Sequence, residues 1–131
     1  MQRKDKKPTE SELEILRILW DNGPSTVREI HDIISKTKDV GYTTTLKLMQ
    51  IMTEKKGFLT RAKSGKTHIY SALLTESKAQ QGLVDRLLDT AFDGSAMKLV
   101  MKALGNRNSS PDELKKIKEF IDQLEKDRDN D

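Results

Sequence analysis

Two capping-box signatures, each a weak signal alone, together indicate where the first helices of this chain begin. Thr9-Glu10-Ser11-Glu12 and Thr26-Val27-Arg28-Glu29 each place a threonine three residues before a glutamate. In this arrangement the two side chains satisfy free backbone amide groups at the start of a helix. Gly23-Pro24, between the two signatures, stops a helix. The sequence therefore predicts two short helices separated by a turn.

Apolar residues recur at helical spacing after both signatures. Those after the first are Leu13, Ile15, Leu16, Ile18, Leu19 and Trp20. Those after the second are Val27, Ile30, Ile33 and Ile34. Each set forms one helical face, which we expect the fold to bury.

A third helix is predicted between Gly41 and Gly57, and its two sides differ in character. At about 100° per residue, the apolar side carries Thr45, Leu48, Met49 and Met52. The polar side carries Thr43, Lys47, Gln50 and Glu54. Threonine, lysine and glutamine reach base edges and phosphates in the DNA major groove, so the polar side suits DNA. Taken alone, the pattern also fits an ordinary amphipathic surface helix.

A β-hairpin is predicted after the third helix. Residues 58–63 and 66–73 contain β-branched and aromatic residues and flank the short loop Ser64-Gly65. Arg61, Lys63 and Lys66 are expected at the hairpin tip. Three helices followed by a basic hairpin form a winged helix-turn-helix, in which the second helix braces the third and the hairpin contacts backbone phosphates.

Charge is distributed unevenly along the chain. Residues 1–74 hold 14 Lys and Arg against 9 Asp and Glu, whereas residues 75–131 hold 10 against 12. Within residues 42–74 the count is six basic to one acidic. The positive excess therefore lies in the third helix and hairpin, where phosphate would lie, and not only in the basic tail at residues 1–8.

The composition argues against several classes of protein. The chain has no cysteine, which excludes disulfides and thiolate metal sites. It has no apolar run of about 18 residues for a membrane span and no signal-peptide pattern, so a cytoplasmic location is expected. His31 and His68 lack the spacing of a metal site, and no glycine-rich phosphate loop is present. We therefore expect no cofactor, no metal and no enzymatic activity.

Residues 75–131 are predicted to form three helices. Asp93-Gly94-Ser95 and the polar loop at 105–109 separate them, and Ser110-Pro111-Asp112-Glu113 caps the last one. These 57 residues are too few to bury a core of their own. We therefore expect two copies of the chain to pair. The residues expected at their interface are Leu87, Leu88, Phe92, Met97, Val100, Leu104, Leu114, Ile117, Ile121 and Leu124.

The predicted fold class is mainly α with a small β-hairpin. It comprises a flexible basic tail at residues 1–8, a winged-helix DNA-binding domain at 9–74 and a helical dimerisation domain at 75–131. Dimerisation has a functional reason, because two recognition helices one DNA turn apart would read a palindrome.

Several short motifs are weak individually but specific in their order and spacing. They are Leu13-Glu14-Ile15-Leu16, Leu19-Trp20, Thr26-Val27-Arg28-Glu29-Ile30, Tyr42-Thr43-Thr44, Gly57, Gly65-Lys66 before Tyr70, Phe92-Asp93-Gly94-Ser95 and Ser110-Pro111-Asp112-Glu113-Leu114. This set covers about residues 9–126 and resembles the penicillinase-repressor family. That family groups the penicillinase and methicillin-resistance repressors with copper-responsive relatives.

The resemblance implies a dimeric winged-helix repressor that occupies a palindromic double-stranded DNA operator and blocks transcription. The residues expected to contact DNA are Thr26, Arg28, Tyr42, Thr43, Thr44, Lys47, Gln50, Arg61, Lys63 and Lys66. The Gly65-Lys66 turn resembles the wing tip. In the penicillinase branch, an antibiotic-sensing membrane protein leads to cleavage of an Asn-Phe bond in the dimerisation region. The resemblance thus also implies a membrane sensor-protease circuit and a link to antibiotic resistance.

Three features depart from the family pattern. The Asn-Phe bond that is cleaved in the penicillinase branch is absent, and Lys102-Ala103 stands nearest to its position. The absence of cysteine rules out release in the manner of the copper-responsive branch, which senses metal through C-terminal cysteines. Lys55-Lys56-Gly57 is one lysine longer than the usual end of the recognition helix, and a phosphate contact is the one role that the sequence suggests for it.

An alternative function is a winged-helix module that docks a protein partner through its third helix and does not bind DNA. The alternative stays open because winged helices serve both purposes and a fold does not fix a function. Salt dependence separates the two, since DNA binding tightens steeply at low salt.

Overall fold

The computed structural model describes residues 7–105 and 109–130. Its elements are α1 (Glu10–Asn22), α2 (Val27–Ile34), α3 (Tyr42–Glu54), β1 (Leu59–Ser64), β2 (Thr67–Ala72), α4 (Glu76–Ala91), α5 (Ala96–Gly105) and α6 (Pro111–Asp129). The two strands form one antiparallel sheet. The predicted fold class, a winged helix-turn-helix followed by a helical region, is confirmed.

Reciprocal capping boxes start three of the helices where the sequence predicts them. Thr9, Thr26 and Ser110 each accept a hydrogen bond from the backbone amide three residues later, and a glutamate there bonds back to the backbone amide of the cap. The third helix differs, because its N-cap Gly41 offers no side chain to the free amides. The first turn of α3 therefore begins with fewer internal partners than the other capped helices.

The apolar core lies in the first part of the chain. Its members run from Ile15 on α1 to Ala79 on α4, and Leu16, Ile30, Met49 and Met52 are completely shielded from solvent. Ile33 differs from the prediction, because its side chain is 38% exposed while the other apolar residues of α2 are buried. An eight-residue helix presents only two turns to the core, and Ile33 falls at the edge of the buried stripe.

The hairpin register places the turn one residue later than predicted. Ser64 pairs with Thr67, so Gly65 and Lys66 form the two-residue loop. Gly65 has φ +65°, the left-handed conformation that such loops require and that glycine adopts without strain.

An isolated β-bridge ties the hairpin to the segment between α1 and α2. Ser25 forms an isolated antiparallel bridge with Tyr70, with hydrogen bonds of 2.9 Å from Ser25 N to Tyr70 O and 2.8 Å from Tyr70 N to Ser25 O. Both residues are buried. The bridge holds the middle of β2 against the residues that immediately precede α2.

The start of α4 is anchored to α1. Trp20 Nε1 donates to the Leu74 carbonyl at 3.0 Å, and Arg17 forms an ion pair with Glu76. The Arg17 guanidinium also lies 5.1 Å from the centre of the Trp20 ring. The hydrogen bond to Glu76 raises the pKa of Arg17, which therefore stays charged.

The chain divides into two compact units, the first ending at Leu87 and the second beginning at Leu88. The boundary falls inside α4, so the first unit extends past Thr75, where the sequence suggested a division. A functional division at Thr75 stays a prediction. Residues 1–6 of the predicted basic tail and residues 106–108 of the predicted polar loop lie outside the described residues. Pro8, the last residue of that tail, is buried. No helix among the described residues is long and apolar enough to cross a membrane.

Candidate nucleic-acid interface

A concave surface lies between the start of α2, the exposed side of α3 and the hairpin, and it encloses a volume of about 550 Å³. Six of the predicted DNA-contacting residues line it, namely Thr26, Arg28, Tyr42, Gln50, Arg61 and Lys66. Three separate elements thus bring their polar side chains to one surface.

The other four predicted residues are exposed outside this concavity. Thr43, Thr44 and Lys47 lie on α3, and Lys63 lies on β1. The three α3 residues fall within its first two turns, next to Tyr42. Together with Tyr42, they present a continuous polar end of α3 to solvent.

The concavity also includes five residues that no sequence pattern indicated as DNA contacts. They are Val27, Leu46, Thr67, His68 and Tyr70. Strand alternation could have found His68, because it pairs with Lys63 and lies two residues from Tyr70, on the same face of the hairpin. No sequence pattern indicated Leu46 as a site residue, because it is an apolar residue that packs partly against the core.

Tyr42 is held by two side chains of α2. The Arg28 guanidinium lies 4.4 Å from the centre of the Tyr42 ring, a cation–π contact. The His31 ring meets the Tyr42 ring edge-on, with centroids 5.6 Å apart and an interplanar angle of 81°. Arg28 also lies 4.0 Å from Asp32 one turn later, at the limit of an ion pair. The second helix therefore braces the third through the ring at its first turn.

Arg61 is bonded within the fold and lies away from the hairpin tip. It pairs with Tyr70 across the strands, donates to the Tyr70 hydroxyl at 3.5 Å and lies 3.4 Å from the Glu54 carboxylate. Hydrogen bonding to Tyr70, followed by attraction to Glu54, raises the pKa of Arg61. Its charge is therefore permanent but partly compensated, and of the three basic hairpin residues Lys66 alone occupies the turn itself.

Lys56 has an internal partner, which the sequence did not suggest. Its Nζ forms an ion pair with Glu12, the glutamate of the first capping box, whose other oxygen accepts from Thr9 N at 2.9 Å. The Glu12 side chain is only 3% exposed. Lys56 Nζ also lies 5.9 Å from the centre of the Phe58 ring. Lys56 therefore joins the end of α3 to the start of α1.

Four lysines remain exposed on α3, at its end and on the hairpin: Lys47, Lys55, Lys63 and Lys66. Within residues 7–105 and 109–130 none of the four forms an ion pair. Exposed lysines without an ion-pair partner among the described residues favour an anionic partner.

Comparison with known proteins agrees with these features. Residues 8–123 match the family described as Penicillinase repressor. The chain belongs to the penicillinase-repressor family. Members of this family are regulators and not enzymes. The chain is 23% identical to the penicillinase repressor of Bacillus licheniformis over 115 residues, which cover 88% of this chain and 89% of that protein. It is also 31% identical over 81 residues to an uncharacterized 16.5 kDa protein of Latilactobacillus sakei, covering 62% of this chain and 55% of that protein.

The second predicted surface, the dimer interface, lies largely in the second unit. None of its ten residues is buried in the single chain. The largest exposed fractions among them are 70% for Met97, 47% for Leu114 and 46% for Ile121. Phe120 and Met101, which the sequence did not assign to the interface, are 63% and 67% exposed. The second unit therefore carries apolar side chains that its own fold leaves uncovered.

Lys102 and Ala103 lie inside α5 and are exposed. Lys102 also borders an apolar groove of about 520 Å³ formed with Phe92, Met97 and Met101. In the described parts of the chain, no group of three or more His, Cys, Asp or Glu side chains could hold a metal ion.

Proposed function

We propose that this protein is a transcriptional repressor that binds a palindromic DNA operator as a homodimer. The observation that carries the proposal is one concave surface that brings Tyr42 and Gln50 of α3 together with Lys66 in the hairpin turn, next to the exposed polar end of α3. Membership of the penicillinase-repressor family supports the same function.

In the proposed complex, α3 enters the major groove. Its first two turns carry Thr43, Thr44 and Lys47 toward solvent, and side chains near the start of a recognition helix meet base edges. Met49 and Met52 fix the opposite side of α3 in the core, so the helix cannot roll without losing buried area.

The hairpin turn contributes affinity without sequence preference. Lys66 is exposed in a two-residue loop and is held by a paired strand on each side. A lysine in this position can neutralise a backbone phosphate, which orients the domain on the duplex without reading the bases.

Pairing of the second units supplies the two-fold symmetry that a palindrome requires. Four apolar side chains of α6 recur at 3-4-3 spacing along one side of that helix: Leu114, Ile121 and Leu124 are exposed, and Ile117 is half-buried. Exposed apolar faces of this kind mark protein interfaces in soluble proteins. We propose that a second copy covers this face.

Base readout is tested by substitution on α3. Lys47→Ala and Thr44→Ala should each weaken operator binding by about 1 to 3 kcal/mol and relax preference at one base position. Lys66→Gln should weaken operator and random duplexes alike and reduce the salt slope by roughly 1. Lys116→Gln makes the same charge change on α6 and is the control. It should alter neither the affinity for DNA nor the salt slope.

Fluorescence anisotropy with an operator selected from a random DNA pool, measured between low and high salt, checks these outcomes. Wild-type affinity and selectivity in both α3 variants would place the contact surface elsewhere. Failure of the wild type to bind any duplex at low salt would instead favour the protein-docking alternative.

The dimer is tested by sedimentation at low micromolar concentration. Ile121→Asp places a charge in the proposed dimer interface, at a cost of several kcal/mol. This variant should therefore be monomeric and should keep only weak nonspecific DNA binding. Lys116→Asp, on another side of α6, should remain dimeric. A monomeric wild type that still protects a palindromic operator would contradict the dimer.

Lys102-Ala103 is the nearest equivalent of the bond that is cleaved in the penicillinase branch, but it lacks that branch's Asn-Phe pair. The bond lies within α5, so a protease would reach it only after local opening of that helix.

A further inference from the structure

His31 links α2 to two residues of the proposed recognition helix. The His31 side chain is half-buried between α2 and α3. Its Nδ1 lies 3.2 Å from Thr45 Oγ1, and its ring meets the Tyr42 ring edge-on. Tyr42 and Thr45 are three residues apart on α3 and therefore share one side of that helix.

The contact with Thr45 fixes the rotation of α3. Thr45 is 2% exposed, so its hydroxyl group is removed from water. A buried hydroxyl without a partner is destabilising, and His31 provides that partner. Rotation of α3 would break this hydrogen bond as well as withdraw Met49 from the core.

The contact with Tyr42 fixes a side chain in the first turn of α3. Tyr42 is 36% exposed and follows Gly41, a cap without side-chain hydrogen bonds. An exposed ring in a weakly capped first turn would sample several rotamers. Arg28 covers one part of the ring and His31 contacts another, which restricts it to one orientation toward the concave surface.

We propose that His31 is a positioning residue for DNA readout, acting through Tyr42 and Thr45 and not touching the duplex itself. The proposal rests on the proposed repressor function. In the protein bound to its operator, His31 holds Tyr42 and the first turn of α3 in the geometry that matches the specific site. Random duplexes, which are bound mainly through phosphate contacts, do not require that geometry.

Two substitutions separate the two contacts of His31. His31→Phe retains a ring beside Tyr42 but loses the hydrogen bond to Thr45. His31→Asn retains a hydrogen-bonding group but loses the ring. We expect His31→Asn to lower operator affinity about two- to tenfold, the worth of one aromatic pair, while random-duplex affinity stays unchanged. Ile33→Asn, at an exposed position on another side of α2, is the control and should leave both affinities unchanged.

A double-mutant cycle distinguishes positioning from general destabilisation. In a Tyr42→Ala background, His31→Asn should have little further effect on operator binding, because the ring that His31 positions is gone and asparagine keeps a hydrogen-bonding group beside Thr45. Urea unfolding of each variant establishes that the domain is folded under the binding conditions. Equal loss of operator affinity in both backgrounds, or equal loss on operator and random duplexes, would overturn the proposal.

A second readout needs no DNA. In the free protein, His31→Asn should move the NMR signals of the Tyr42 ring protons, because the neighbouring imidazole ring is removed, whereas His31→Phe should keep a ring-current shift. Unmoved Tyr42 signals in His31→Asn would overturn the proposal. A wild type that binds no duplex would refute the repressor function, whereas a wild type that binds its operator with the same affinity as both His31 variants would refute only the role of His31.

Discussion

The buried ion pair between Glu12 and Lys56 predicts unequal effects of removing its two members. The Glu12 side chain is 3% exposed, whereas that of Lys56 is 36% exposed. Without Lys56, the Glu12 carboxylate stays buried with the Thr9 amide as its remaining partner. Without the Glu12 charge, Lys56 can still reach water.

The expected magnitudes follow from this asymmetry. Removing one member of a fully buried ion pair costs about 3 to 5 kcal/mol. The hydrogen bond from the Thr9 amide to Glu12 reduces that cost. Lys56→Met should therefore lower the free energy of unfolding by about 2 to 4 kcal/mol. Methionine keeps the apolar stem beside Phe58. Glu12→Gln keeps an oxygen for the Thr9 amide and should cost about 1 kcal/mol or less.

The double variant Glu12→Gln/Lys56→Met gives the sharpest test. It leaves no buried charge, so it should be more stable than Lys56→Met alone, although it carries one more substitution. Urea unfolding followed by circular dichroism, at one fixed protein concentration, measures all four proteins. Equal costs for the two single variants, with a strictly additive double variant, would show that the carboxylate is not held as a buried charge.

Two further predictions concern the stability of the first unit. Trp20→Phe leaves the Leu74 carbonyl without its indole donor and should lower the free energy of unfolding by about 1 to 2 kcal/mol, measured in urea. Gly65→Ala meets no atom within 4 Å but must hold φ near +65°, so it should cost about 1 to 2 kcal/mol through backbone strain alone. Gly65→Asn should cost less, because asparagine tolerates that region; equal melting temperatures for the alanine variant and the wild type would contradict this reasoning.

Local signals in the sequence predicted the helices well. A capping box involves residues three apart and a helical face repeats within one turn, so the starts at Thr9, Thr26 and Ser110 needed no tertiary information. The hairpin turn was displaced by one residue, because both Ser64-Gly65 and Gly65-Lys66 place glycine in a short loop. Only the register between the strands distinguishes them.

Contacts distant in sequence could not be predicted in the same way. Lys56 lies 44 residues from Glu12, and nothing local distinguishes it from the exposed Lys55. The Ser25–Tyr70 bridge is one residue long and follows a proline, so it has no alternating pattern. For the candidate site, the polar side of α3 followed from periodicity, whereas the concave surface depends on how the hairpin folds back and required the structure.

The isolated bridge at Ser25 gives the hairpin a gradient of local stability. Near Tyr70 the strands are held by the bridge and by a buried ring, whereas Gly65 and Lys66 lie at the far end of the hairpin from that bridge. The backbone amide of Tyr70 should therefore exchange with deuterium slowly, and amides toward the turn progressively faster. If the protein binds DNA as proposed, the base of the hairpin would keep its position beside the residues that precede α2 while its turn adjusts to the local width of a duplex groove. The protein could then accept operators whose DNA differs in shape outside the bases it contacts.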